Sequence, residues 1–412
     1  MNCLKGMSRL VGLAFLVGFS VAAPARADVI TQWNEQVLAL GGASRTLAMV
    51  HVAMFDAFNA IQPRYQPYLQ LPAPPAGAMA EAAAASAAHG VLVRLLPARV
   101  AVLNATLASS LASLPDGAGK TSGVQYGEIV ADAMYQSRLA DNILVPGPIY
   151  TSTGAPGAYQ ITSPGPAQPV NTNAPNWIPF ALTSASQFRP SAPPALTSRR
   201  YADDLNETRA LGELTSPYRS TIDDETARWH TELAQFQLNR IARAEVAADG
   251  RDLLAHARLF ALLNLALADA ATSVFDAKYT YLFWRPVTAI RNADLDDNAR
   301  TDVDPGWSPF LTTPPHPEYP AAHGVIQTAG TRVLERYFGQ HYAFDTTSPT
   351  VPGVTRHYDD FDAFAEEGGF ARILGGMHFR NSVEVGHRQG KSVANWILEH
   401  CLTPLDDGGS HD

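Results

Sequence analysis

The longest helical run in this 412-residue chain is "GRDLLAHARLFALLNLALADAATSVFDAKYTYLFW", residues 250 to 284. Its apolar spacing is that of a helix, and so is that of most of the chain. "SRTLAMVHVAMFDAFNAI", residues 44 to 61, opens on Ser44 as an N-cap and is apolar almost all round, which predicts a buried helix. His51 and Asp56 within it read as a satisfied core pair. A Pro-rich hinge at residues 72 to 75 precedes the alanine-rich helix "AGAMAEAAAASAAHGVLVRLLP". "VAVLNATLASSLASL" and "GVQYGEIVADAMYQSRLAD" follow as amphipathic helices. One helix is expected across "DDETARWHTELAQFQLNRIARAEVA", and three more across "AAHGVIQTAGTRVLERYFG", "FDAFAEEGGFARILGGMHF" and "SVEVGHRQGKSVANWILEHCL". Between them, residues 145 to 197 and 291 to 322 read as loop; the first is rich in Pro, Gly, Ser, Thr and Asn and nearly free of charge. No alternating strand pattern and no internal repeat is visible. The fold class is therefore mainly α: two packed helical bundles with long irregular loops, divided near residue 200 into regions 28–200 and 201–412.

The start of the chain sets the compartment. "MNCLKGMSRLVGLAFLVGFSVAAPARADV" carries Lys5 and Arg9, an apolar run from Leu10 to Ala23, and Ala25-Arg26-Ala27. That is the pattern of a secretory signal peptide, residues 1–27, and implies a secreted or periplasmic protein. Its removal takes away three basic residues and moves the formal net charge from -9 to -12. Such an acidic balance argues against a nucleic-acid partner. Cys401 is then the single cysteine, so no internal disulfide forms and the core stands on packing. No later run is expected to span a membrane.

Three segments gather charge against this apolar background. In "DAKYTYLFWRPV", Lys278 and Arg285 are seven apart, two turns on one helical face, and Pro286 ends the helix. Buried cations of this kind need an anion, from protein carboxylates or from a ligand. In "HPEYPAAHGV", residues 316 to 325, a proline-braced loop holds His316 and delivers His323 to a helix start, where backbone N–H groups can bind an oxyanion. In "ARILGGMHFRN", Gly375-Gly376 permits the break that brings Arg372 and His378 together. Alone, each is as well explained by packing or surface charge; together they suggest a pocket for a multiply charged oxyanion such as phosphate or vanadate.

The order K-x6-R-P, P-x-x-H, R-x5-H resembles the vanadium-dependent haloperoxidase and type 2 phosphatidic acid phosphatase superfamily. The longer stretches "ARLFALLNLALADAATSVFDAKYTYLFWRP" and "HPEYPAAHG" are similar to the corresponding segments of vanadium chloroperoxidases. "QWNEQVLAL" and "SRTLAMVHVAMFDAFNAI" resemble secreted bacterial members. The resemblance implies a fold of the vanadium chloroperoxidase type. Lys278, Arg285 and Arg372 would then neutralise the oxygens of vanadate, with the Ala322 N–H beside them. His378 would be the one protein bond to vanadium, or the phosphorylated nucleophile of a phosphatase. His323 would be the general acid/base. His316 falls where chloroperoxidases carry an aromatic residue and some bromoperoxidases histidine, and Glu232 is a candidate to support the anion-binding side chains from behind. Vanadate is the implied cofactor, with phosphate competing for its site. Peroxide, halide and an organic acceptor, or a phosphate ester, are the implied small-molecule partners. Three positions depart from the family: Ala321 replaces a serine that would bond the anion, Ala371 a serine before the arginine, and Ser382 the aspartate four residues after the metal histidine. The last leaves the orientation of His378 open. A haloperoxidase, an acid phosphatase and a non-catalytic oxyanion-binding relic are the readings carried forward.

Other features point to ordinary structure. "DLDDNARTDVD", residues 294 to 304, resembles a calcium loop in composition but lacks its glycine and terminal glutamate, and reads as a solvated acidic turn. His387, His400 and His411 are expected at the surface.

Overall fold

A computed structural model describes residues 28–405, so the signal-peptide segment 1–27 and His411 lie outside the described residues. Within them the chain is mainly α. The first half carries α1 (Val29–Ala39), α2 (Ser44–Ile61), α3 (Ala80–Leu95), α4 (Val100–Ala112) and α5 (Ala118–Ser137). The second carries α6 (Arg199–Leu211), α7 (Thr221–Trp229), α8 (Ala234–Val246), α9 (Leu253–Tyr281), α10 (Pro286–Arg291), α11 (Ala322–Phe338), α12 (Phe361–Leu374) and α13 (Arg380–His400). A short antiparallel hairpin, β1 (Phe344–Thr347) with β2 (Thr355–Tyr358), pairs Phe344 with Tyr358. Sequence periodicity did not reveal it, because four residues per strand are too few to display alternation. It is held from outside: Phe344 stacks on Tyr358 and on Phe361, and Tyr358 meets Phe364 edge-on.

α9 is the axis of the molecule. Asp252 caps its start by accepting from the Ala255 N–H, and Leu282 ends it in the left-handed region at φ 49°. α2 packs on one side of it, and α11 and α13 on another. Nearly every α9 side chain between these neighbours is buried. Contrary to the sequence expectation, α9 is long and apolar enough to cross a membrane, with a best-window hydropathy of 1.4. The same window is 94% buried inside the protein, so its apolarity serves the core. One continuous apolar core runs from Trp33 and Val37 of α1 through α2 and α9 to Val393 and Ile397 of α13.

Two expectations for α2 are corrected. Ser44 is the first helical residue, and the N-cap is Ala43, which makes no side-chain bond. His51 and Asp56 are both buried but are not a pair. His51 accepts from Asn34, 2.8 Å away, and burial lowers it to about 3, so it is neutral. Asp56 accepts the Tyr68 and Leu69 N–H groups, and burial raises it to about 7.

The loop over residues 145–197 contains one 3-10 turn, Ala174–Asn176, and is ordered by α9. Buried Asp269 accepts the N–H groups of Phe180, Ala181 and Leu182 at 2.6 to 2.9 Å. Arg189 forks onto Asp276 at 2.7 and 2.8 Å. Further main-chain bonds, Tyr159 N–H to Leu282 and Val170 N–H to Pro315, lay the loop along the C-terminal end of α9.

Candidate oxyanion site

Lys278 lies in the last turn of α9, with no exposed surface. The helix stops three residues later, and the chain runs on to Arg285, the extended N-cap of α10. Pro286 therefore opens a helix instead of ending one, as suits its fixed φ at N1. Lys278 and Arg285 do not share a helical face, yet both grip the same loop. Lys278 Nζ donates to the carbonyls of Pro317 and Glu318 at 2.8 and 2.9 Å. Arg285 donates to the carbonyls of His316 and Pro314 at 2.8 and 3.1 Å, and to Nδ1 of His316 at 2.9 Å. Its remaining nitrogen reaches Met377 O at 2.9 Å and Nε2 of His378 at 3.1 Å.

Arg372 comes from the last turn of α12. The chain then breaks at Gly375-Gly376, the latter at φ 71°, and returns through Met377 to His378. A Cβ on Gly376 would stand 2.4 Å from the Gly212 carbonyl, so the turn needs glycine for both conformation and space. Arg372 donates to His230 O at 2.9 Å and touches the Met377 sulfur, and its buried Nε has no partner.

The helix expected across residues 223–247 is broken into α7 and α8 at 230–233. The break frees main-chain carbonyls toward the site. His230 O receives Arg372, and Glu232 O receives Nε2–H of His323 at 3.3 Å. The Glu232 carboxylate is not a site group: Arg240 holds it bidentate at 2.6 and 2.7 Å. His323 is the second residue of α11 and half-buried. Ala322 opens that helix; Val325 N–H donates to Ala321 O and Ala321 N–H to Ser382 O, which leaves the N–H groups of Ala322, His323 and Gly324 without a main-chain acceptor. Ala321 is fully buried and its methyl packs with Ile373 and Val383.

Among the described residues, none of Lys278, Arg285 and Arg372 pairs with a carboxylate side chain; their bonds go to carbonyls, imidazoles and sulfur. Burial pulls Arg285 down to about 10 and Arg372, with the Arg285 charge adding to it, down to about 9. Burial and Arg285 drive Lys278 well below its ordinary value. His316, His323 and His378 are likewise held far below the usual imidazole range, first by burial and then by these cations, so all three are neutral. The Arg372 and Lys278 charges add to the lowering of both His323 and His378.

Two site groups were not picked out from sequence. His230 orients Arg372 only because of the unforeseen helix break. Glu318 sits inside the loop between the two histidines, with no exposed surface, and accepts from His378 Nδ1 at 2.9 Å. Burial pushes its carboxyl up against the pull of Lys278. The signal that could have found it is a carboxylate in an apolar, proline-braced segment, a residue type rarely buried without a partner. His387 is not at the surface as expected: it is half-buried against Gly324 and Gly369 with an unpartnered Nε2, whereas His400 is exposed and stacked on Trp396. The acidic loop is satisfied internally, Asp296 taking the Thr301 hydroxyl and the Asn298 N–H. Among the described residues no cluster of three acidic, His or Cys side chains could hold a metal cation.

The fold is mainly α, with three buried cations, one buried carboxylate and neutral histidines drawn from the ends of its helices. Residues 258–407 match the family of the VCPO second helical-bundle domain, and the chain is similar to vanadium haloperoxidases over most of its length. It is 25% identical to the vanadium chloroperoxidase of Curvularia inaequalis, over 82% of this chain and 74% of that one. The first bacterial vanadium-dependent iodoperoxidase superposes with a TM-score of 0.78 at 25% identity, covering 92% of this chain and 96% of its own. The holo-type bacterial vanadium-dependent chloroperoxidase, at 18% identity, shares the fold with a TM-score of 0.67 over 92% of this chain and 94% of its own.

Proposed function

We propose that the protein is a vanadate-dependent peroxidase that oxidises halide with peroxide. The observation that carries this reading is the charge imbalance: Lys278, Arg285 and Arg372 are at most 4% exposed, and Glu318 is the one buried carboxylate beside them. Burying three cations against a single carboxylate is costly enough that the site is built to receive a further anion. The donor set fits a tetrahedral oxyanion. It offers an ammonium, two guanidiniums, one of them with an orphaned Nε, and the N–H groups opening α11. It also offers an imidazole nitrogen. Arg285 can only donate, so Nε2 of His378 carries a lone pair, which is the form a metal centre requires.

Vanadate, when bound, supplies a Lewis-acidic centre that makes peroxide electrophilic toward halide without changing oxidation state. The residues of this chain do the rest. Lys278, Arg285 and Arg372 hold the negative charge, and His378 fixes the position of the anion. His323 gives its Nε2–H to Glu232 O and is neutral, so Nδ1 presents a lone pair that can take up and return a proton. Its ring is not wholly enclosed, which keeps it within reach of small molecules. The signal-peptide pattern of residues 1–27 puts the mature protein outside the cytoplasm in this reading.

The test incubates the purified protein with orthovanadate and assays bromide and iodide oxidation beside phosphate-ester hydrolysis. Halide oxidation that requires vanadate and is inhibited by phosphate is expected. Hydrolysis without vanadate, with phosphate trapped on His378, would instead make the protein a phosphatase. Vanadate binding with neither activity would make it a non-catalytic oxyanion binder.

A further inference from the structure

Ser382 stands on α13 where the resemblance calls for a carboxylate to orient His378. The carboxylate is nonetheless present, and it arrives from another segment. Glu318 Oε1 accepts from His378 Nδ1 at 2.9 Å and from the Phe379 N–H at 3.0 Å. Its Oε2 accepts from the Ser382 hydroxyl at 2.9 Å. All three donors lie within the five residues 378–382, so one side chain clamps the entry to α13. The main chain of Glu318 is fixed just as firmly. Its N–H donates to Phe283 O at 2.9 Å, and its carbonyl receives Lys278 Nζ at 2.9 Å. The residue thus ties the end of α9, which carries Lys278, to the turn that carries His378.

The proton inventory is determined by the partners. Arg285 lies 3.1 Å from Nε2 of His378 and has no acceptor atom, so Nε2 bears the lone pair. The ring proton is then on Nδ1, and Glu318 is its acceptor. We propose that Glu318 is the positioning residue of the oxyanion site, a carboxylate relocated from α13 to the preceding loop, which fixes the Nδ1–H tautomer of His378 and directs its Nε2 lone pair at the anion. Glu318 touches neither the anion nor the substrate; it acts through His378. A carboxylate behind a ligating imidazole fixes ring orientation and raises ligand basicity, and its loss ordinarily costs about 10–100-fold in affinity. Ser382 completes the arrangement, because its hydroxyl keeps the second carboxylate oxygen satisfied. The tautomer does not depend on the proposed activity, whereas the affinity readout rests on it.

The experiment labels the histidines of the full chain with nitrogen-15 and adds orthovanadate as the probe. Without vanadate, wild type is expected to show His378 with a protonated Nδ1 and a lone-pair Nε2. Glu318→Ala should give a mixed or inverted tautomer and weaken vanadate binding by about 10–100-fold. Adding Ser382→Asp to Glu318→Ala should restore both, since the two side chains meet at one point and a carboxylate from position 382 would enter the vacated space. Should the alanine variants not fold, Glu318→Gln keeps the volume and an acceptor oxygen but forms a weaker, neutral bond. It should weaken vanadate binding, whereas simple removal of a negative charge near an anion would tighten it. An unchanged tautomer and affinity in folded Glu318→Ala, failure of Ser382→Asp to restore a folded protein, or tighter binding in Glu318→Gln would each overturn the proposal. If wild type has the expected tautomer but binds no vanadate, the functional reading fails while the positioning role stands.

Discussion

At the scale of the residue, the site is a set of three cations for which the fold supplies one buried carboxylate, Glu318. Arg372 shows this best: one nitrogen meets a carbonyl, one a sulfur, and Nε meets nothing. The buried Arg138, by contrast, has the Asp141 carboxylate 3.5 Å away, whereas no carboxylate side chain among the described residues lies within ion-pair distance of Arg372. His323 lies apart from the cation cluster's hydrogen bonds and is held by a single carbonyl. Its removal should therefore leave the anion-holding groups in place. His323→Ala is expected to lower halide oxidation by about 10²–10⁴, the usual loss for a general acid/base, with vanadate still bound. Vanadate titration and bromide-dependent halogenation of a phenol check the two halves of this statement. A wild-type rate would remove His323 from the chemistry. The cations and histidines were legible in sequence because their order and spacing are local properties of three short segments. Glu318 was not, because what gives it a role is a contact with His378, sixty positions away. Glu232 misled for the converse reason: its side chain belongs to Arg240, and only its main chain serves the site.

At the scale of the element, the turn between α12 and α13 decides where His378 stands. Gly376 holds φ 71° there, and its Cα packs against the backbone of Gly212 at the end of α6. Gly376→Ala would meet a strained conformation and a main-chain oxygen that cannot step aside. A destabilisation of roughly 1–3 kcal/mol is expected, together with weaker vanadate binding as His378 shifts. Denaturant midpoints and vanadate titration measure both. A variant with wild-type stability and affinity would mean that the turn relaxes without moving the histidine. Most helices were legible, since apolar periodicity is long-range within each. The break at 230–233 was not: "WHTEL" contains neither Gly nor Pro. The carbonyls the break releases are taken by distant side chains. Trp229 O receives Gln237, Ser348 and Thr350, and His230 O receives Arg372. An interruption stabilised in this way has no local signature.

At the scale of the whole molecule, the division near residue 200 suggested by the long loop coexists with a core that does not divide. α2 packs on α9, and the apolar cluster passes from one half to the other around a buried polar chain in which Asn34 and His51 of the first half meet Asn239 and Asn264 of the second. α9 then links that core to the site through Lys278 at its far end. The oxyanion site draws on α9, the start of α11 and the α12–α13 turn, so it exists only when these segments are docked. Two consequences can be measured together in one thermal scan. The shared core predicts a single cooperative transition in place of one for each half. An anion that binds only the assembled site stabilises the fold by mass action, by about 2.7 kcal/mol when vanadate stands at a hundred times its dissociation constant. Vanadate is therefore expected to move the one transition upward as a unit. Phosphate, drawn by the same three cations, should do so at higher concentration and should blunt the effect of vanadate when both are present. Two transitions of which only one responds would show that the halves unfold separately and that the common core does not couple them. A single transition indifferent to both anions would mean that the cations of α9, α10 and α12 are satisfied by their carbonyls alone, and the oxyanion assignment would fall with it.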